Sequence, residues 1–381
     1  MYFFKENGLS KNLIAFMLVS IALLVTVNVL MPTVLSSFKF THFLFNYESE
    51  FVKRGFIGEV FRLLGFEMNY QLASIVSYAL FILFTVVFLF IITSAFKDSL
   101  MTTGAWLYIF MAAIHSATIQ HFYVDLGRFD AFAFLIAILS IYLIARFSRV
   151  TSFVLVPILI ILMLLIHEGT FFMYVPLILG FWLYRSAKFK EYLAIAIMVF
   201  ISVFSTYVIS KNGLITNMNQ EHHYSSLVKI HGEDRISLSS VAVLHGREIK
   251  ENFLLTLEAG FNKKRIHEHV KLFIILFPLF LLMLMLVIEE VKANGFSKKL
   301  LFIASAFGPL GLYPLGHDHF RWWALALTNL FVVLSIISYY DQSFKKLIIS
   351  IFYKHQALVM VILVSSVIVG GMGVTSAFQR L

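Results

Sequence analysis

Near the end of the chain, Gly308 to Leu327 reads GPLGLYPLGHDHFRWWALAL, and within it His317, Asp318, His319 and Arg321 fall in five consecutive positions. An imidazole can move a proton near neutral pH. A carboxylate can accept one, and a guanidinium fork matches carboxylate or phosphate oxygens. Three upstream stretches have the same character. NYESEFVKRGFIGEVFR carries Glu48, Glu50, Lys53, Arg54, Glu59 and Arg62; HFYVDLGRFD carries His121, Asp125, Arg128 and Asp130; IHEGT carries His167 and Glu168. Spacing adds to composition. His121, Asp125 and Arg128 stand at i, i+4 and i+7, so one helical face would present all three. His317 and Arg321 are at i, i+4, and Asp318 and Arg321 at i, i+3. His317 and His319 could form a ligand pair, but spacing fixes no third ligand, and no metal is assigned.

The elements that must carry these groups are membrane helices. The 381-residue chain is 60% hydrophobic and only 13% charged, with mean hydropathy +0.87. Soluble domains carry about 25% charged residues. A helix needs about 20 apolar residues to cross the hydrocarbon. Runs of that kind fall near 13–34, 71–95, 101–119, 130–145, 151–166, 170–184, 192–210, 272–289, 300–316, 323–340 and 357–378. The expected fold is therefore all-α: one polytopic membrane domain over 1–381 with about eleven spans. The runs 151–166 and 170–184 are short, and LLIHEGTFF between them fits either two spans or a re-entrant pair. The first run lacks a small-residue cleavage site and reads as a retained span.

Lys and Arg set the orientation. With the N-terminus inside, the inner short segments hold fourteen of them, against seven outside. That bias predicts an N-in, C-out chain with a single large outer loop over 211–271. The second half of this loop reads as an amphipathic helix on the membrane surface or as a cover folded over the bundle mouth. Every conspicuous polar cluster then lies outside, and of the thirteen histidines only His355 lies within. The net charge of +9 is accounted for by topogenic loops, so no nucleic-acid partner is expected. The absence of cysteine excludes disulfides, thiolate metal sites and a cysteine nucleophile. Gly308, Pro309, Gly311, Pro314 and Gly316 should break the preceding helix and let irregular backbone line a cavity. Trp322 and Trp323 read as an interfacial belt. One outward polar cavity is expected.

Lys53, Arg54, Arg128 and Arg321 are more cation than a proton relay needs. They suit phosphate, and a phosphate-bearing substrate at the outer boundary is most simply a polyprenyl-pyrophosphate-linked sugar. Transfer of that sugar requires cations for the departing pyrophosphate and a base for the acceptor hydroxyl. Asp125, Glu168, His317 and Asp318 are the candidate catalytic groups, with Lys53, Arg54, Arg128, Arg321, His167 and Asp130 as candidate substrate-binding groups. No Walker motif or Gly-rich fingerprint is present, and no cofactor is expected. Blander roles compete. The three glutamates of the first loop could be solvated, and Lys53 and Arg54 could reach lipid phosphates. Asp125, Arg128 and Asp130 could lock two helices together, and His167 and Glu168 could cap a helix end.

In length, span number, aromatic-rich apolar helices, outward basic residues and a large late outer loop, the chain resembles the Wzy-type O-antigen polymerases. The resemblance implies a metal-independent glycosyltransferase of lipopolysaccharide biosynthesis in the bacterial inner membrane, joining lipid-linked repeat units on the periplasmic face. By that resemblance Arg54, Arg128 and Arg321 would engage the polyanionic substrate, and a chain-length regulator protein is a further candidate partner. The long loop does not align with the Arg- and His-based patterns of the related ligases. Two other readings stand beside this one. Multi-span glycosyltransferases that use lipid-phosphosugars also have acidic residues in the first outer loop, where Glu48 and Glu50 lie. A lipid-linked oligosaccharide flippase would instead line a mid-membrane path with charge.

Overall fold

In the computed structural model the protein is helical, with no strand among the described residues, which are 34–246, 253, 254, 256, 263–374 and 376–380. The expected first span falls outside them apart from Val34. Helices α1 (Ser37–Phe43) and α2 (Phe56–Leu63) are short, and α1 starts at Ser36, whose hydroxyl accepts from Lys39 N. The long α3 (Tyr70–Phe96) starts at Asn69, which caps Leu72 N at 2.9 Å. Next come α4 (Thr103–Ile114), α5 (Ile119–Val124), α6 (Asp130–Arg146) and α7 (Arg149–Ile166). They are followed by α8 (Thr170–Met173), α9 (Val175–Arg185), α10 (Phe189–Asn212), α11 (Gln220–His231) and α12 (Leu238–Leu244). The last part holds α13 (Lys263–Asn294), α14 (Lys298–Ser305), a 3₁₀ stretch Gly308–Leu315, α15 (His319–Tyr340), α16 (Gln342–Lys354) and α17 (Gln356–Val369).

Among the described residues, five helical segments are long and apolar enough to cross a membrane: Tyr70–Ser99, α7, α10, α13 and α15. The pair α16 and α17, bent by 80°, makes a sixth if it counts as one span. The other expected spans are shorter or broken. The run 101–119 is helical only to Ile114, and His115 turns the chain out with ψ 140°. The run 170–184 breaks at Tyr174, ahead of Pro176, which offers no N–H to a continuous helix. The run 300–316 ends as α-helix at Ser305 and continues as the glycine- and proline-rich 3₁₀ stretch, the irregular backbone expected there. The run 357–378 is helical to Val369. Gly370 (φ +74°) then turns residues 371–374 and 376–380 back, and Met372 N bonds Ser116 O at 2.9 Å.

Helix α15 is the axis of the bundle and is buried along almost its whole length. It packs on α3, α14, α16 and the 3₁₀ stretch. Free carbonyls at the broken helices need partners where water is scarce. Two polar side chains of α15 supply them: Thr328 donates to Ala117 O at 2.8 Å and Asn329 to Met173 O at 2.9 Å. Gly104 lets α4 meet α16 closely, since a Cβ there would stand 2.1 Å from Ile349 O. The two ends of α15 carry opposite clusters. Arg321 and Asp318 mark one end. At the other, Lys299 bridges Asp341 (2.9 Å) and Glu290 (2.6 Å). A rise of 1.5 Å per residue separates them by roughly 30 Å, the thickness of a bilayer core.

The large loop expected over 211–271 is partly ordered helix. Helices α11 and α12 lie on the 36–55 segment. Ser237 N donates to Thr41 Oγ1 (2.9 Å), Ser240 Oγ to Phe38 O (2.7 Å) and Lys53 N to Gly213 O (3.0 Å). His222 and His223, inside the expected loop, stand on α11. The end of the region, from Lys263, is already the first turns of α13.

Candidate functional site

The site is built where α5, α6 and α15 converge. Arg321, only 2% exposed, donates from Nε and Nη2 to both oxygens of Asp130 at 2.7 and 2.6 Å, and from Nη1 to Asp318 Oδ2 at 2.9 Å. Arg128 shares Asp318 at 3.4 Å and lies 3.5 Å from Asp125 Oδ1, its guanidinium carbon 4.9 Å from the centre of the Phe38 ring. Lys39 closes the group, 3.0 Å from Asp125 Oδ1. His121 Nδ1 meets the Met372 carbonyl at 2.7 Å, so the turned-back C-terminal segment seals this side.

The expected helical face of His121, Asp125 and Arg128 forms differently. Helix α5 stops at Val124, and Gly127 (φ +90°) reverses the chain, so Asp125 and Arg128 meet across a turn. The Asp318–Arg321 spacing behaves as read. His317 does not reach Arg321; its Nδ1 instead takes a hydrogen bond from Arg265 Nη1 at 2.9 Å. Trp322 is buried against Tyr313 and His319 instead of forming a belt, and Trp323 donates to Tyr313 Oη at 2.6 Å.

A second group lies beside the first. Arg54 grips Glu168 with Nε and Nη2 at 2.9 and 2.6 Å. Its own backbone sits at φ +64°, a left-handed conformation costing about 1–3 kcal/mol for a residue with a Cβ. His167 accepts from Gly169 N at 2.9 Å and stands 3.8 Å from Glu168. His42, buried, feels Arg54, Arg128, His167 and Glu168 together, and this links the two groups. Burial pushes the Glu168 carboxyl up, but the Arg54 charge and hydrogen bonds, with His167 and Lys53, together outweigh it and hold the group well below the usual carboxylate range. Burial likewise opposes ionisation of Asp318, and Arg128 and Arg321 hold its pKa low. His167 is pushed down to about 3 by burial and then by Arg54, so it is neutral. Lys53 lies within electrostatic range of Arg54 and Glu168 and makes no side-chain ion pair among the described residues.

The first-loop acids have structural partners. Glu50 accepts from Thr216 and Asn217, and Glu59 pairs with Arg62 at 2.6 Å. His121, Asp125 and Asp130 bring ligand-type atoms within 4.8 Å of one another. Three carboxylates (Asp125, Asp130, Asp318) meet three cations (Lys39, Arg128, Arg321) here, so a dication would have to displace an existing partner. The same balance bears on phosphate, since Arg54 and Arg321 already spend their forks on carboxylates.

Asp318 alone of these carboxylates opens substantially outward, its side chain 29% exposed. It lines a cleft of about 250 Å³ with Lys264, Arg265, Glu268, His317, His319, Phe320 and Val374. Lys39, His42, Arg265 and Glu268 were not picked out from the sequence. A lysine and a histidine amid the aromatics of SFKFTHF, and the run KKRIHEH opening an apolar helix, were the available signals.

The fold and these charges together define a helical, membrane-type bundle with a charge-balanced polar cluster and an open cleft at one end. Comparison with family models, with curated proteins and with solved structures gives no match.

Proposed function

We propose that the protein is a glycosyltransferase of surface-polysaccharide assembly, joining polyprenyl-pyrophosphate-linked oligosaccharide units in the manner of the Wzy-type polymerases it resembles. In this reading it is an inner-membrane protein with about eleven spans and its N-terminus inside, the cleft opening to the periplasm. The observation that carries the reading is the position of Asp318: a carboxylate held by two arginines, yet open to a cleft at the end of the bundle.

The acceptor sugar hydroxyl donates a hydrogen bond to Asp318. As its oxygen bonds to the donor's anomeric carbon, the bond from that carbon to the pyrophosphate oxygen breaks. The hydroxyl proton, now strongly acidic, passes to Asp318, and the pyrophosphate leaves on its lipid. A carboxylate of depressed pKa is a weak base, but the proton is taken late, from an oxygen already made strongly acidic, so its ionised form suffices. Arg128 and Arg321 fix its orientation, and this departs from the expectation that they grip phosphate directly. Arg54 and Glu168 brace the neighbouring wall, with Lys53 beside them.

The test is reconstitution in liposomes with a lipid-linked oligosaccharide. Wild-type protein should lengthen it, and Asp318→Asn should lower the rate by about 100-fold or more. Absence of lengthening by wild-type protein, or full activity in Asp318→Asn, removes this reading. Addition of one sugar from a monophosphate lipid would assign the other glycosyltransferase class.

A further inference from the structure

Arg265 lines the cleft and differs from the arginines described above. Arg54, Arg62, Arg128 and Arg321 each pair with a carboxylate. Among the described residues Arg265 has none; its Nη1 donates to His317 Nδ1, a neutral acceptor. Glu268, one turn along α13, is committed elsewhere, to Lys271 at 2.8 Å and to Ala377 N at 2.9 Å. Among the described residues the positive charge of Arg265 therefore has no carboxylate partner at the cleft wall.

A second observation points to the same space. His319 lines the cleft, is 5% exposed, and its Nε2 has no partner. The rest of the ring is held firmly. It is bonded to the Gly316 backbone and stacks on Tyr313 at 4.3 Å with the planes 6° apart. A buried ring nitrogen without a partner is costly unless something fills the position.

We propose that Arg265 and His319 form an anion subsite for a phosphate-bearing group, with Lys264 at its edge. The guanidinium fork meets two phosphate oxygens. His319 Nε2 meets a third, accepting from a protonated oxygen or donating once it carries a proton. Resting on the glycosyltransferase reading, this places the substrate's pyrophosphate on the cleft wall facing Asp318, away from Arg54, Arg128 and Arg321.

Binding can be measured apart from turnover. Wild-type protein in nanodiscs is titrated with polyprenyl pyrophosphate, with the corresponding polyprenol, and with inorganic pyrophosphate. Polyprenyl pyrophosphate should bind well above polyprenol, and Arg265→Gln should weaken it at least tenfold, with Arg265→Lys intermediate. His319→Phe, which keeps the stacking ring, should weaken binding severalfold. Arg62→Gln should leave it unchanged. Inorganic pyrophosphate binding as tightly as the lipid would assign the subsite to a free anion. Unaltered affinity in folded Arg265→Gln and His319→Phe, judged by monodisperse elution and an unshifted melting point, overturns the proposal. Because no sugar transfer is read, a protein that binds pyrophosphate through Arg265 without transferring sugar would refute the enzyme reading and leave the subsite standing.

Discussion

Arg321 holds Asp130 through two parallel hydrogen bonds, 2.7 and 2.6 Å, between residues 191 positions apart. Both side chains are buried, and this pair ties the N-terminal end of the central helix to the start of α6.

Loss of one partner leaves a buried charge without its counter-ion, at a cost of about 3–5 kcal/mol. Arg321→Gln and Asp130→Asn should each lower the melting point in detergent strongly. Arg321 still has Asp318 when Asp130 is neutralised, so Asp130→Asn should be the milder change. The double variant should recover part of the loss, because no lone charge remains. Additive losses in the double variant would show that the two residues act independently.

Glu168 predicts a pH dependence. Its folded pKa is depressed, so its contribution is fully present above the unfolded value of about 4.3 and drains away as pH falls below that through the folded pKa. Melting points of the wild type and Glu168→Gln should differ at pH 7, with the gap narrowing only below about pH 4. A gap that closes between pH 5 and 7 would instead implicate a histidine.

Orientation can be tested because the chain has no cysteine of its own. Single cysteines at Asn217 and Glu233, beside the cleft end, should react with an impermeant thiol reagent in intact spheroplasts. Cysteines at Lys188 and Asn294 should react only after lysis. The reverse pattern would turn the cleft toward the cytosol and remove the periplasmic assignment.

Helical class and membrane character followed from composition, since long apolar runs with few charges can satisfy their backbone in lipid only as helices or closed barrels. Local chemistry was equally legible. Gly308, Pro309, Gly311, Pro314 and Gly316 broke a helix as their φ preferences and missing N–H groups require. Asp318 met Arg321 because i, i+3 groups share a face. Span lengths were less legible. A run such as 101–119 stays apolar while its backbone turns at His115, because the freed carbonyl of Ala117 is satisfied by Thr328, 211 positions away.

Which charges distant in the chain face one another was decided by tertiary structure alone. Arg54 finding Glu168, Arg321 finding Asp130 and Lys39 finding Asp125 are long-range pairings, and spacing along the chain carries no information about them. Those pairings changed the chemistry assigned to the arginines. Read singly they were phosphate receptors; packed, Arg54 and Arg321 are neutralised by carboxylates, and the guanidinium at the cleft without a carboxylate partner among the described residues is that of Arg265, which local pattern had passed over. Residue types determine which groups can ionise, but the charge left over for a ligand depends on which partners the fold brings within hydrogen-bonding distance.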